Sequence, residues 1–268
     1  MEEMKDQVPS MSPVEPEEET ELSHTDKLVG IFSEPGNTFS KMSKSGAKTS
    51  DWLIPLIILL AVSILSSIVM FTNPNIKLKM QQDNEKRIQE MVDKGTLTQE
   101  QADQQIEMSG KFMSGPFMII TTSISIVVMG FIFFFVIAGA FFLFVKFILK
   151  GDGAFKDAMT AYGLPYYISI IQAIIMVILS LTMGKIFQST SVAAFMDIPK
   201  ENFLHFILSK LDILSIWFYA VVSIGFAKMF KSADVKKYYV LIFGLWIGVG
   251  LIFFFLAKAV PFLEFLNR

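Results

Sequence analysis

Apolar residues along this chain gather in long blocks, several of which exceed 20 residues without a single Asp, Glu, Lys or Arg. A run of about 20 apolar residues crosses the roughly 30 Å hydrocarbon of a bilayer as a helix, the form in which a lone segment satisfies all its backbone groups. The blocks predict five transmembrane helices, at about 52–71, 114–145, 160–184, 203–228 and 238–257. Asp51 stands where it can cap the first turn of span one, and Pro55 is tolerated so close to that start. The block from Ser114 to Val145 is longer than a bilayer requires. Gly130 and Gly139 alone offer no turn within it, so it reads as one tilted or projecting helix. Span four is the least regular, because its charge-free window, Ile213 to Ala227, is too short to cross alone. It must recruit residues from Phe203 onward, which places Lys210 near an interface and Asp212 one to two turns inside the helix.

The polar segments between these blocks carry their own patterns. In the loop 73–113, Ile88, Met91 and Val92 recur at helical spacing, Gly95 marks a stop, and Thr98 with Gln101 forms a capping-box pair. This predicts a helical hairpin outside the bilayer. Residues 1–27 are rich in Glu and Pro and nearly devoid of aliphatic side chains, so they read as a disordered acidic tail or a docking tail for a basic partner. Residues 28–32 are apolar and are followed by Pro35-Gly36, Lys41, Lys44 and Lys48. They suit either a segment lying on the membrane surface or a simple linker. With the N-terminus inside, segments 27–51, 146–157 and 228–237 face the cytoplasm. They hold as many Lys and Arg as the longer outer segments 73–113, 185–211 and 258–268, so basic density favours N-in, C-out, with a short outer C-terminus at 258–268. The fold class is therefore all-α: a polytopic membrane bundle of five transmembrane helices with a hairpin in its first outer loop.

Composition narrows the chemistry. The chain has 268 residues, 53% hydrophobic and only 18% charged, with no Cys, two His and a net charge of -2. Thiolate chemistry and Cys-ligated metals are excluded, and nothing suggests a nucleic-acid partner. Gly151-Asp152-Gly153 reads as a turn and not as a phosphate-cradling loop. Asp and Glu are missing from the span cores, which argues against an ion-coupled pump. His24 and His205 are too isolated for a protease dyad, so no catalytic, cofactor or metal site is expected. The polar group that draws notice is His205, Lys210 and Asp212, read as an interfacial anchor or as a ligand or lipid-headgroup site. Gly244 and Gly248 form a small-xxx-small pair for packing within the subunit or for a homo-oligomer seam. The Phe run from Phe131 to Phe147 wraps all faces of span two and suits lipid contact.

Phe32 to Pro35 ahead of Asp51-Trp52 and Pro55, the loop from Lys146 to Phe155 with its two glycines, Ala161 to Pro165 opening span three, and Leu211-Asp212-Ile213 with Ile216-Trp217 together resemble the Yip-one domain family over about residues 28–257. The resemblance implies a five-span, non-enzymatic membrane protein with a cytoplasmic N-terminus. Eukaryotic members interact with Rab-type GTPases in vesicle traffic. The long charged loop after span one and the Tyr162-Gly163 order look like prokaryotic members, which implies a bacterial inner-membrane protein. Two functions remain: a scaffold that meets a protein partner through its tail or hairpin, or a permease or lipid-handling protein with a groove lined by Thr121, Thr122, Ser125 and Gln172.

Overall fold

A computed structural model of the protein describes residues 21–112 and 116–259, and all regular structure among them is helical. Helix α1 (His24–Ser33) starts at Ser23, whose hydroxyl accepts from the Asp26 amide while the Asp26 carboxylate accepts from the Ser23 amide. This reciprocal box puts the helix start inside the segment read as tail. Residues 1–20, the rest of that tail, lie outside the described residues, as does the C-terminus from 260 onward. Pro35 occupies the first position of α2 (Pro35–Ser45), where its missing amide would be unbonded anyway.

The first span is α3 (Thr49–Thr72). Asp51 is not its N-cap. It sits in the first turn and accepts from the Lys48 backbone amide at 2.9 Å. The hairpin follows as α4 (Pro74–Asp93) and α5 (Gln99–Phe112), tied by an Asn84–Ser109 hydrogen bond of 3.0 Å. Span two is α6 (Pro116–Ile148), and span three is α7 (Phe155–Gly163) running into α8 (Tyr166–Met183) past Pro165. Span four departs from expectation. It is two helices, α9 (Phe203–Ser209) and α10 (Ile213–Met229), bent by 61° at a short break. The break falls where Asp212 offers its carboxylate to the Leu214 and Ser215 amides, a local alternative to continuing the helix. Span five is α11 (Lys236–Ala259). Among the described residues, four helical segments are thus long and apolar enough to cross a membrane, and the bent pair makes a fifth if it counts as one span.

The core lies between α2, α3, α6, α7, α8 and α10. Helices α1 and α2 are docked onto the bundle and are not a simple linker, because Ile31, Phe39 and Met42 are fully buried in that core. Along α6, Phe134, Ala138, Phe141 and Val145 recur at helical spacing and turn inward, whereas Phe133, Phe135, Phe144 and Phe147 stay exposed. The Phe run therefore divides between lipid-facing residues and an aromatic seam. In that seam Phe134 stacks on Trp52 at 5.0 Å and meets Tyr162 and Tyr166 at 5.7 Å. Lipid tails are as apolar as these side chains, so such seams are held by close packing and not by exclusion of water. Closeness in turn demands small residues. A Cβ at Gly225 would lie 3.0 Å from the Ala161 carbonyl oxygen and 2.9 Å from the Phe39 ring, and one at Gly163 would lie 2.9 Å from the Trp52 Cα.

Candidate functional site at the broken fourth span

His205, Lys210 and Asp212 do not form one site; the break in span four sends them in three directions. Asp212 turns inward and is 2% exposed. One carboxylate oxygen accepts from the Thr190 hydroxyl at 2.7 Å and from the Leu214 and Ser215 amides at 3.1 and 3.4 Å. The other accepts from the Gln172 side-chain amide at 2.8 Å and from the Ser215 hydroxyl at 2.9 Å. Contrary to the sequence expectation, a carboxylate is therefore buried against span three, and it is solvated by five donors instead of by a cation. The amide bonds among them fix the start of α10. Gln172 also donates to Thr190 at 3.1 Å, which locks the α8–α9 connection to the same cluster. The groove anticipated around Gln172 is not assembled, since Thr121 and Ser125 are exposed on α6 and Thr121 bonds back to the Phe117 carbonyl.

Lys210 points toward α11. Its ammonium lies 5.2 Å from the Phe206 ring centre and 5.1 Å from that of Trp246, a double cation–π contact. Gly250 faces this ammonium: a Cβ there would fall 2.8 Å from the Lys210 Nζ, the movable end of a flexible side chain. At Gly244 and Gly248 nothing lies within 4 Å of an added Cβ, so this pair is not a packing seam within the described subunit.

His205 lines a cavity of about 540 Å³ together with Lys185, Gln188, Ser189, Ser191 and Lys200. The α8–α9 connection shapes it. Gly184 takes a left-handed turn at φ 63° to end α8, and the Ser180 hydroxyl accepts from the Phe187 amide at 3.0 Å. A short 3-10 turn at Val192–Phe195 is pinned by a Val192 amide bond to the Leu211 carbonyl. Lys185 donates to the Ala194 carbonyl at 3.2 Å and lies over the Phe187 ring, and Lys200 donates to the Gln188 side chain at 3.0 Å. Burial pushes the Lys200 amine below its ordinary value, and the charge of Glu201 opposes that shift. Sequence reading found His205 but not its companions, which lie on an irregular connection without periodicity.

A second polar cluster, at the other end of the bundle, was not anticipated. The Lys27 ammonium pairs with the Asp51 carboxylate at 2.7 Å, with side chains 5% and 0% exposed. Beside them the His24 Nε2 and the Tyr167 hydroxyl are 2.5 Å apart, and Glu21 pairs with Lys48 at the surface. Burial lowers the His24 pKa from its ordinary value; the Asp51 charge opposes this and the Lys27 charge adds to it. Its Nδ1 is buried without a hydrogen-bond partner. Among the described residues, no group of three or more His, Asp or Glu could hold a metal.

No curated protein and no solved structure matches the chain. One family model, that of the Yip1 domain, matches residues 29–257. Nearly the whole chain is thereby accounted for, and the protein belongs to the Yip1 domain family of membrane proteins.

Proposed function

We propose that this protein is a non-enzymatic scaffold of a bacterial inner membrane, with its N-terminus in the cytoplasm, which presents an acidic tail to a protein partner. The Yip1 family is not in general an enzyme family. The observation that carries the reading is the buried Lys27–Asp51 pair, which anchors α1 to α3. A tail joined to a mobile linker would be displayed loosely, whereas here the helix that follows it, α1, is held against α3. The basic density of segments 27–51, 146–157 and 228–237 supports the inward placement of this end. The hairpin, at the opposite end of α3, offers a second surface for a partner.

The test is crosslinking in native membranes with the full chain and with a variant lacking residues 1–20. A partner captured by both proteins equally would refute the tail as the contact. Cys probes at Ser45 and Thr98, in a protein with no native Cys, should label from the inside and the outside respectively. The cavity beside His205 favours a second reading, a lipid-handling protein. Flux of a labelled lipid or solute through reconstituted vesicles would establish it.

A further inference from the structure

We propose that the end of the bundle where α6 and α10 stop holds an anionic phospholipid, its phosphate facing Lys150 and Lys231 and an acyl chain lying in an apolar groove on α6. The inference rests neither on the scaffold reading nor on the side of the membrane that this end faces, because it uses no residue of the tail and no protein partner.

The α6–α7 and α10–α11 connections, 149–154 and 230–235, are packed on each other. A Cβ at Gly151 would lie 2.8 Å from the Phe230 ring and 3.2 Å from the Tyr238 hydroxyl, and one at Gly153 would lie 2.8 Å from the same Phe230 ring. Contact this close fixes what flanks it. Lys150 precedes Gly151 and Lys231 follows Phe230, and both take a left-handed backbone at φ 55°, the two non-glycine residues to do so among the described residues. Both are exposed, so two ammonium groups are presented beside one loop–loop contact. Two more cations attach to it: Lys146 donates to the Gly153 carbonyl at 3.4 Å, and the Lys237 ammonium lies 5.6 Å from the Tyr238 ring centre.

Segments 146–157 and 228–237 carry seven lysines against three aspartates. Two of those aspartates are engaged by the backbone, since Asp157 accepts from the Ala154 amide at 2.8 Å and Asp234 from the Lys236 amide at 3.0 Å. The surplus of positive charge attracts an anion, and lysine acts on phosphate as a point charge with three donors. What lies beside the lysines identifies that anion. The last turns of α6 carry a groove of about 330 Å³ lined by Ala140, Leu143, Phe144, Phe147 and Ile148, all of them apolar. Phe147 and Ile148, just before Lys150, are exposed, and so is Val240, just after Lys237. Lysines at such a boundary between exposed apolar side chains and a polar connection stand at headgroup level. A soluble anion would leave the groove unused, whereas a phospholipid occupies both parts.

The purified full chain in a neutral detergent is titrated with phosphatidylglycerol, phosphatidylcholine or inorganic phosphate at matched ionic strength, and the midpoint of thermal unfolding is read. Phosphatidylglycerol is expected to raise it saturably and by more than the other two. Lys150→Gly/Lys231→Gly removes both charges where glycine adopts the left-handed backbone freely, so the lipid-free midpoint should not fall. The apparent affinity for phosphatidylglycerol should nonetheless drop about 25-fold, from two lysines that each attract an anionic lipid surface about fivefold. Ala140→Phe, at an exposed position in the groove, should weaken the lipid response and leave the lipid-free midpoint unchanged. Lys79→Gln/Lys86→Gln on the hairpin removes as much charge and should leave the affinity intact. The proposal is overturned if phosphatidylglycerol gives no saturable shift, or if phosphatidylcholine or inorganic phosphate matches it. It is equally overturned if Lys150→Gly/Lys231→Gly or Ala140→Phe responds as the unaltered protein does, or if the hairpin variant loses as much affinity.

Discussion

Replacing Lys27 with Met tests how firmly the N-terminal helices are held. The ammonium lies 2.7 Å from Asp51, and both side chains are almost fully enclosed. Met fills much of the lysine stem's volume but leaves the carboxylate facing apolar neighbours, with the Lys48 amide as its remaining donor. Breaking a buried pair from one side typically costs about 3–5 kcal/mol, because the surviving charge keeps its desolvation penalty and loses its compensation. The exposed pair Lys79–Asp83, with side chains 50% and 59% accessible, provides the contrast and should give no more than about 1 kcal/mol. Lys27→Met/Asp51→Leu removes both charges and should recover most of the loss. A deficit of about 1 kcal/mol should remain, since Asp51 also bonds the Lys48 amide at the start of α3. Hydrogen exchange of the α1 amides in detergent reads local opening directly, and denaturant titration reads the whole bundle. A Lys27→Met variant whose α1 amides exchange no faster than those of Lys79→Met would refute the anchoring of α1 by this pair.

Asp212→Asn should lower stability by about 2 kcal/mol, since hydrogen bonds to a charged acceptor exceed neutral ones by roughly that much and the new amide faces two donors; thermal unfolding in detergent checks this, and a loss below about 1 kcal/mol would return Asp212 to a hydrated interfacial anchor. Gly225→Ala should destabilise by about 1–3 kcal/mol by overpacking against Ala161 and Phe39, whereas Gly248→Ala should leave the monomer unchanged, and any shift in its oligomeric state by light scattering would mark a homo-oligomer seam. Deleting residues 82–106 should leave an inserted, monodisperse protein, because neither Ile88 nor Ala102 belongs to the main core; aggregation on size exclusion would contradict this. Because burial lowers the His24 pKa, the neutral ring is the form favoured on folding. Its contribution is complete above the ordinary value of 6.5 and is lost as pH falls below it toward the lowered one. The α1 amides should therefore exchange faster at pH 5 than at pH 7, with a flatter profile in His24→Gln.

The spans and the hairpin were legible because each depends on a local property, either an uncharged run long enough for the bilayer or a capping pair beside a glycine. Docking of α1 and α2 was not, because Lys27 and Asp51, or Phe39 and Gly225, meet only in the folded bundle. The bend in span four did leave a mark. Asp212 followed by Ser215 is a strong helix-start signal, but the short charge-free window made a continuous helix look necessary. That continuity also set His205, Lys210 and Asp212 on one rod, whereas a break lets adjacent residues face a cavity, an aromatic pair and a buried polar cluster. The cavity owes its lysines to an irregular connection, where residue order carries little spatial information.

The aromatic contacts also make the protein its own optical instrument. Its three tryptophans occupy three different seams: Trp52 stacks on Phe134 between α3 and α6, Trp217 meets Phe32 edge-on between α10 and α1 at 5.4 Å, and Trp246 stacks on Tyr219 between α11 and α10 at 4.7 Å. Ring currents and emission both respond to separations of this size, so three single-tryptophan versions, each retaining one indole, would resolve which seam loosens without any attached dye. Loss of α1 from the bundle would appear as a change in Trp217 fluorescence alone, while rearrangement of the fifth span would be seen by Trp246 and leave Trp52 silent.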